Sequence, residues 1–482
     1  MEVRNKRLND EEFLRERKQV LATWKTGAEV DLEEAIDFHK SLPPHKNFAL
    51  KLLQARDTGS TLIRCESGVP TIEECSTYLK FLQDEGQADL LGIHVDSMTR
   101  NQRYEEAERG LENSLKTGRW VLNGFPMVAH GVEGTRKVIE AVDLPVMIRN
   151  PCVDQRLVAE IGFASGHTGG SGCPILAFTQ YSRKTPFEIV IRYYQYVYRL
   201  MGFYADKGVL MTASITGGFA IISPISVLLA GAILDSIIAA EQGVRNINLV
   251  ANSQGNVIQD VAAVGVLRKK AGEYLHQLGY KDVGLTINLS NWVGQFPAEV
   301  FPASAVISLG VFEAVMSKSE ITSVKTIEEA KSIPTREASA ASLRLGKTLI
   351  SLLRNQTLNI DEKALQREST MLEREVQLIV DKALEMGDGD VVVGAIRATE
   401  AGVFDVPFST SQYVQCKVKG VRDNQGAVRY IDHGNLPFTK EIVEFHKQKI
   451  AERERVIGRK PDHETIVEDI SAISRGFLVK GV

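Results

Sequence analysis

The residues best placed to do chemistry in this chain are arginines that close short apolar runs. Residues 144–148 form such a run, and Arg149 ends it. The amphipathic segment DQRLVAEIGFA and a glycine-dense turn follow, so the stretch reads as strand, helix and loop, the unit of a parallel sheet. Parallel barrels gather their functional groups at the carboxyl ends of strands. The other candidate strand ends carry Arg64 and Glu66, Asp96 and Arg100, Asn123, then Ser171, Cys173 and Tyr181. Arginines converging on one cavity suit a substrate with carboxylates, because the planar guanidinium grips a carboxylate in bidentate fashion. For each arginine a surface salt bridge is the competing reading, and it stays open for Arg100 and Arg149 taken together. His167, inside the glycine run, could bind a ligand or act as an acid; a solvent-facing loop histidine is the commoner case. Asp432-His433-Gly434 reads as a turn. A dinucleotide GxGxxG after the first strand, a Walker loop, HExxH and GxSxG are all missing from the sequence.

These strand ends need a scaffold. Strand candidates fall at 61–64, 88–94, 120–125, 144–148, 174–178, 209–212, 247–250 and 283–288, separated mostly by helical patterns. Eight such runs predict a closed (β/α)8 barrel over 46–345, with a doubly wound open sheet as the alternative. A charged helical arm precedes it over 1–45, and an α+β extension follows over 346–482. In that extension 361–386 reads as one long helix, 391–396 and 428–431 as strands, and 440–455 as a charged helix. The apolar run 219–240 contains Ser223, Pro224, Ser226, Asp235 and Ser236, which favours a buried barrel helix over a membrane span. A net charge of −4 argues against nucleic-acid binding by bulk electrostatics. Five cysteines without metal spacing, and an N-terminus without a signal-peptide core, predict reduced thiols in the cytoplasm.

Longer segments carry more specific information. FLQDEGQADLL (81–91), TRNQRYEE (99–106), LNGFP (122–126), AVDLPVMIRN (141–150), MGFYADKGV (201–209) and AAEQGVRNINL (239–249) are six of them. GNVIQD (255–260), IPTREASAA (333–341), FDVPFS (404–409) and VRDNQGAVRYIDHGNLPF (421–438) continue the series. Together they resemble the epsilon-type large subunit of the glutamate mutase (methylaspartate mutase) family, from one end of the chain to the other. The resemblance implies a (β/α)8 barrel whose open end meets a small subunit, two of each forming the active complex. That partner carries adenosylcobalamin, with its DxHxxG loop supplying the histidine ligand to cobalt; this chain has no DxHxxG. Cobalt–carbon homolysis would start a radical 1,2-rearrangement, for which the protein must offer a dry, closed cavity.

Residue by residue, the resemblance places carboxylate-gripping arginines at Arg100 and Arg149, whereas its third arginine position holds Glu66. An acid that meets the substrate ammonium falls on Ser171, a tyrosine falls on Ala177, and Tyr181 is retained. Lys325 and Glu329 match the pair that meets the adenosyl ribose, and Gly68, Asn123 and Asn150 are further coenzyme-side positions. The coenzyme side thus survives better than the substrate side, which implies a carbon-skeleton mutase with a shifted substrate. Glutamate mutase proper, with Arg64 replacing the lost arginine, and a non-catalytic scaffold for the small subunit are the alternatives.

Overall fold

Eight parallel strands close into a barrel in the computed structural model, which describes residues 3–218, 221–331 and 333–481. They are β1 (Leu62–Ser67), β2 (Leu90–His94), β3 (Val146–Arg149), β4 (Gly169–Ser171), β5 (Thr212–Ile215), β6 (Asn246–Asn252), β7 (Gly284–Ser290) and β8 (Ile321–Val324). The ring shuts where β1 pairs with β8, Leu62 opposite Ile321 and Arg64 opposite Ser323. This is the (β/α)8 barrel expected from the strand pattern, and the open sheet is excluded.

Five details of the strand pattern need correction. Residues 120–125 are not a strand; Phe125 makes a single bridge to Val95. Residues 174–178 are helical instead, because Pro174 opens a turn (Pro174–Leu176) that runs into a π-helical turn (Ala177–Tyr181). The glycine-dense stretch read as a loop holds the fourth strand, and the eighth, Ile321–Val324, went uncounted. The fifth strand begins at Thr212, where the expected run ends.

Alternation along each strand sorts inward from outward side chains. The barrel floor is apolar: Phe48 and Leu52, from the helix Phe48–Thr58, plug it against Leu62, Leu90, Met147 and Ile321. Above the floor the interior turns polar and is hydrogen-bonded from strand to strand. Thr212 Oγ1 donates to Asn246 Oδ1 (2.9 Å), Asn248 Nδ2 to Thr286 Oγ1 (3.1 Å), and Asn288 Nδ2 to Ser323 Oγ (2.9 Å).

The apolar run near 219–240 becomes the helix Ile225–Glu241; Phe219 and Ala220 lie outside the described residues. That helix is buried almost all round, which accounts for its composition. Among the described residues no helix is long and apolar enough to cross a membrane. The long helix predicted over 361–386 is Glu362–Met386, capped by Asp361, whose Oδ1 accepts the N–H groups of Lys363 and Ala364 (both 3.0 Å). Its buried Val376, Ile379, Val380 and Ala383 pack toward Ile225–Glu241 and Val257–Gln277.

Residues 391–396 form a helix (Val391–Ala401) rather than a strand. Asp390 caps its start and Gly402, at φ 70°, ends it in the left-handed region. A hairpin follows, β9 (Lys419–Arg422) against β10 (Val428–Asp432), then the helices Lys440–Ile457 and His463–Ala472. Two buried arginines beneath this hairpin are paired with carboxylates. Arg429 is bidentate to Glu368 (2.7 and 2.8 Å) and also bonds Asp423 (2.8 Å), while Arg453 is bidentate to Asp469 (2.7 and 2.8 Å).

His167 is neither a loop residue facing solvent nor near the strand ends' cavity. It is completely buried, with Nδ1 3.0 Å from Gly162 O, and burial holds its pKa down to about 3.

Candidate active site

The carboxyl ends of the strands surround a cavity of about 500 Å³. A second cavity of about 520 Å³ lies away from the strand ends, between Trp24, Tyr104 and Arg156. Its Arg156 is matched by Glu16 (2.9 Å) and Asp154 (2.7 Å), which leaves little charge for a ligand.

Strand β1 brings two charges into the mouth. Arg64 and Glu66 are two residues apart, so both point inward. Arg64 is 2% exposed; its Nε donates to Ser323 Oγ (3.0 Å), and Nη2 lies 3.4 Å from Glu66 Oε1. Glu66 also faces Arg149 at the end of β3, whose Nε is 3.1 Å from Oε1 and 3.2 Å from Oε2. Burial alone would raise the Glu66 pKa. The guanidinium groups of Arg149 and Arg64 overcome it and hold the carboxyl at about 2, so it is ionised at neutral pH. In return the Glu66 carboxylate raises the Arg149 pKa against the cost of burial.

Arg100 ends a single helical turn (Ser97–Arg100) fixed by Asp96, whose Oδ1 accepts the N–H groups of Met98 (2.8 Å) and Thr99 (3.1 Å). Its Nε donates to Val95 O (3.0 Å), which orients the guanidinium at the cavity wall. Tyr181 lines the same wall. Burial raises its phenol pKa, and Arg149 and Arg100 only partly offset this, so it stays a neutral hydroxyl.

Across the mouth, Lys325 follows β8 and pairs with Glu329 four residues on, Nζ to Oε1 2.7 Å. Asn123 and Gly68 belong to the same rim, and Asn123 Oδ1 accepts the Ser97 N–H (2.9 Å). Gly68 sits where the β1 and β2 backbones nearly touch: a Cβ there would lie 2.3 Å from His94 O.

Eight of the ten singled-out positions therefore share one cavity: Arg100, Arg149, Glu66, Tyr181, Lys325, Glu329, Gly68 and Asn123. Ser171 and Asn150 are buried just behind it. Ser171 Oγ accepts the Asn150 N–H (3.2 Å) and donates to Ile148 O (3.4 Å), tying β4 to the end of β3. Ala177 is buried in the π-helical turn. Sequence reasoning missed His94, which lines the cavity at the end of β2 opposite Arg149 in register. The signal was present in the sequence, since 88–94 was a predicted strand and His94 is its last residue.

Such a mouth, with three cations on its lining (Arg100, Arg149, Lys325) against the carboxylates of Glu66 and Glu329, can bind an anion and hold it in a fixed orientation. The methylaspartate mutase E chain profile matches residues 42–481. The chain belongs to this family. Curated relatives named glutamate mutase epsilon subunit match over almost their whole length. Those from Desulfitobacterium hafniense and Treponema denticola are each 42% identical over 480 residues, covering 99% of both chains. The one from Haloarcula marismortui is 38% identical over 476 residues, covering 98% of this chain and 96% of its own. The methylaspartate mutase E chain family thus spans bacteria and a haloarchaeon with little change in length.

Proposed function

We propose that this chain is the large, epsilon-type subunit of an adenosylcobalamin-dependent carbon-skeleton mutase whose preferred substrate is not glutamate. It is an isomerase, an intramolecular transferase, working in the cytoplasm as two large and two small subunits. The small subunit carries the DxHxxG loop. The observation that carries the shifted preference is Glu66, held between Arg64 and Arg149 in the very cavity where a second substrate carboxylate would have to sit. An acid there turns attraction for that carboxylate into repulsion, a loss on the order of several kcal/mol.

The chain's residues fit the coenzyme. Lys325 and Glu329 present a donor and an acceptor side by side, as two neighbouring ribose hydroxyls require. Gly68 keeps this part of the rim as bare backbone, since a Cβ there would collide with His94 O. When bound, adenosylcobalamin supplies hydrogen-atom abstraction through homolysis of its cobalt–carbon bond. Arg100 and the outer edge of Arg149 hold one substrate carboxylate, and the neutral Tyr181 hydroxyl donates to it. Glu66 accepts a hydrogen bond from an amine or hydroxyl at the substrate's other end. Ser171, behind the wall, is the neutral counterpart of this moved acid.

The test uses the full chain assembled with a small DxHxxG subunit and adenosylcobalamin. L-Glutamate should turn over poorly, and the double change Glu66→Arg, Ser171→Glu should raise that turnover. Efficient conversion of glutamate to 3-methylaspartate by the unchanged protein would refute the shift. Spectral titration of the chain without its partner should show weak cobalamin binding; tight binding would refute the two-subunit arrangement.

A further inference from the structure

We propose that His94 and Glu66 together read a hydroxyl group, so that the substrate is a hydroxy-monocarboxylate. This deepens the reading of the cavity as a one-carboxylate site and rests on it.

One polar atom of the cavity wall is unpaired. His94 lines the cavity, and its Nδ1 is buried with no hydrogen-bond partner among the described residues. Buried polar nitrogens are almost always paired, and leaving one unpaired destabilises the fold. Asp96 Oδ1 and Asn123 Oδ1 already accept backbone N–H groups. Asp96 Oδ2, buried and unpaired among the described residues like Nδ1, makes no bond to the ring, so Nδ1 is left to a group that enters from the cavity His94 lines.

The chemistry of the ring then narrows the partner. Burial lowers the His94 pKa; Glu66 opposes this, but Arg100, Arg149 and Lys325 add to it, and the result is about 4. The imidazole is therefore neutral at physiological pH, one nitrogen donating and the other accepting, and it offers no charge to a carboxylate. Glu66, ionised, can only accept. A group that donates to Glu66 and exchanges a hydrogen bond with a neutral imidazole in either tautomer is a hydroxyl.

The two rivals meet opposing charge. An ammonium beside Glu66 would share that carboxylate with Arg64 and Arg149, and would feel Arg100 and Lys325 as well. A second carboxylate would meet Glu66 directly. A hydroxyl carries no net charge and avoids both penalties.

The experiment measures binding of four probes to the full-length chain by ligand-observed NMR and calorimetry: butyrate, 4-hydroxybutyrate, 4-aminobutyrate and glutarate, with 3-hydroxybutyrate to vary the spacing. At least one hydroxy acid should bind about tenfold or more tighter than butyrate, 4-aminobutyrate and glutarate. His94→Phe should erase that preference, so that hydroxy acids and butyrate bind alike, and His94→Gln should restore part of it. In chain labelled with ¹⁵N-histidine, the resonance lost in His94→Gln should shift with the hydroxy acid and not with butyrate. This holds the proposal to account even if His94→Phe fails to fold. Equal binding of hydroxy acids and butyrate, or tighter binding of 4-aminobutyrate or glutarate, overturns the hydroxyl assignment and leaves the carboxylate grip standing. If no probe binds, the carboxylate grip falls as well.

Discussion

Arg429 and Arg149 both pair with carboxylates, and they do opposite things. Arg429, under the β9–β10 hairpin, has all three side-chain nitrogens bonded to Glu368 and Asp423 and is 4% exposed. Arg149, at the barrel mouth, bonds Glu66 through Nε alone, and 19% of its side chain remains accessible. A network that closes on itself leaves nothing for a ligand; it fixes the hairpin against the long helix Glu362–Met386. A network closed on one side only leaves an oriented cation facing a cavity. The degree of saturation, more than the presence of charge, separates the structural cluster from the candidate binding one.

The largest effect should come from opening the closed network. Glu368→Ala leaves both terminal nitrogens of Arg429 unpaired in a dry site, with Asp423 alone still holding Nε, and should cost roughly 3–5 kcal/mol of stability. Urea unfolding checks this. A shift below about 1 kcal/mol would mean that the cluster is wet or redundant.

The open network should answer differently. Arg149→Lys keeps the charge and loses the planar fork, so kcat/KM in the assembled complex should fall roughly 30-fold or more, about 2 kcal/mol. The urea midpoint should move little. Unchanged turnover would place Arg149 outside the grip.

The smallest effect is a pH dependence. Glu66 titrates at about 2 in the fold against an ordinary 4.5, so its contribution is full above pH 4.5 and fades as pH falls toward 2. His94 titrates at about 4 against 6.5. Between those values the unfolded chain binds the proton more readily, and stability drops as pH falls from 6.5 to 4. Glu66→Gln should flatten the lower window. His94→Gln should flatten only part of the upper one, because buried His39 and His167 act in the same sense. Unfolding midpoints measured from pH 7 to pH 2.5 separate the two.

How much of this could be read from residues depends on what each segment packs against. The barrel was legible because alternation and helical period recur along the chain, and the register at the mouth follows once Arg149 is taken as the end of β3. Strand β4 was hidden because its residues are glycines and a serine. Gly170 faces Phe163, where an added Cβ would lie 3.2 Å from the ring, so distant side chains set its composition. Val391–Ala401 misled in the other direction: three consecutive valines favour a strand, but the Asp390 cap and burial of the helix override that preference. At the site, the arginines and Glu66 were visible as strand ends, and Lys325 and Glu329 only through the family resemblance. The three-way contact of Arg64, Glu66 and Arg149 joins different strands, which no local pattern reports.

The seam between β1 and β8 has a consequence in time. Arg64 reaches Ser323 across 259 positions of sequence, and that pair braces the carboxylate side of the mouth. Contacts so remote form late, because a long stretch of chain must first be ordered to bring them together. On the ribosome, β8 emerges after the first seven strands, so a nascent chain has a lysine-free, half-built rim until then. A ligand that needs the finished mouth therefore finds its site only in chains whose ring has already closed.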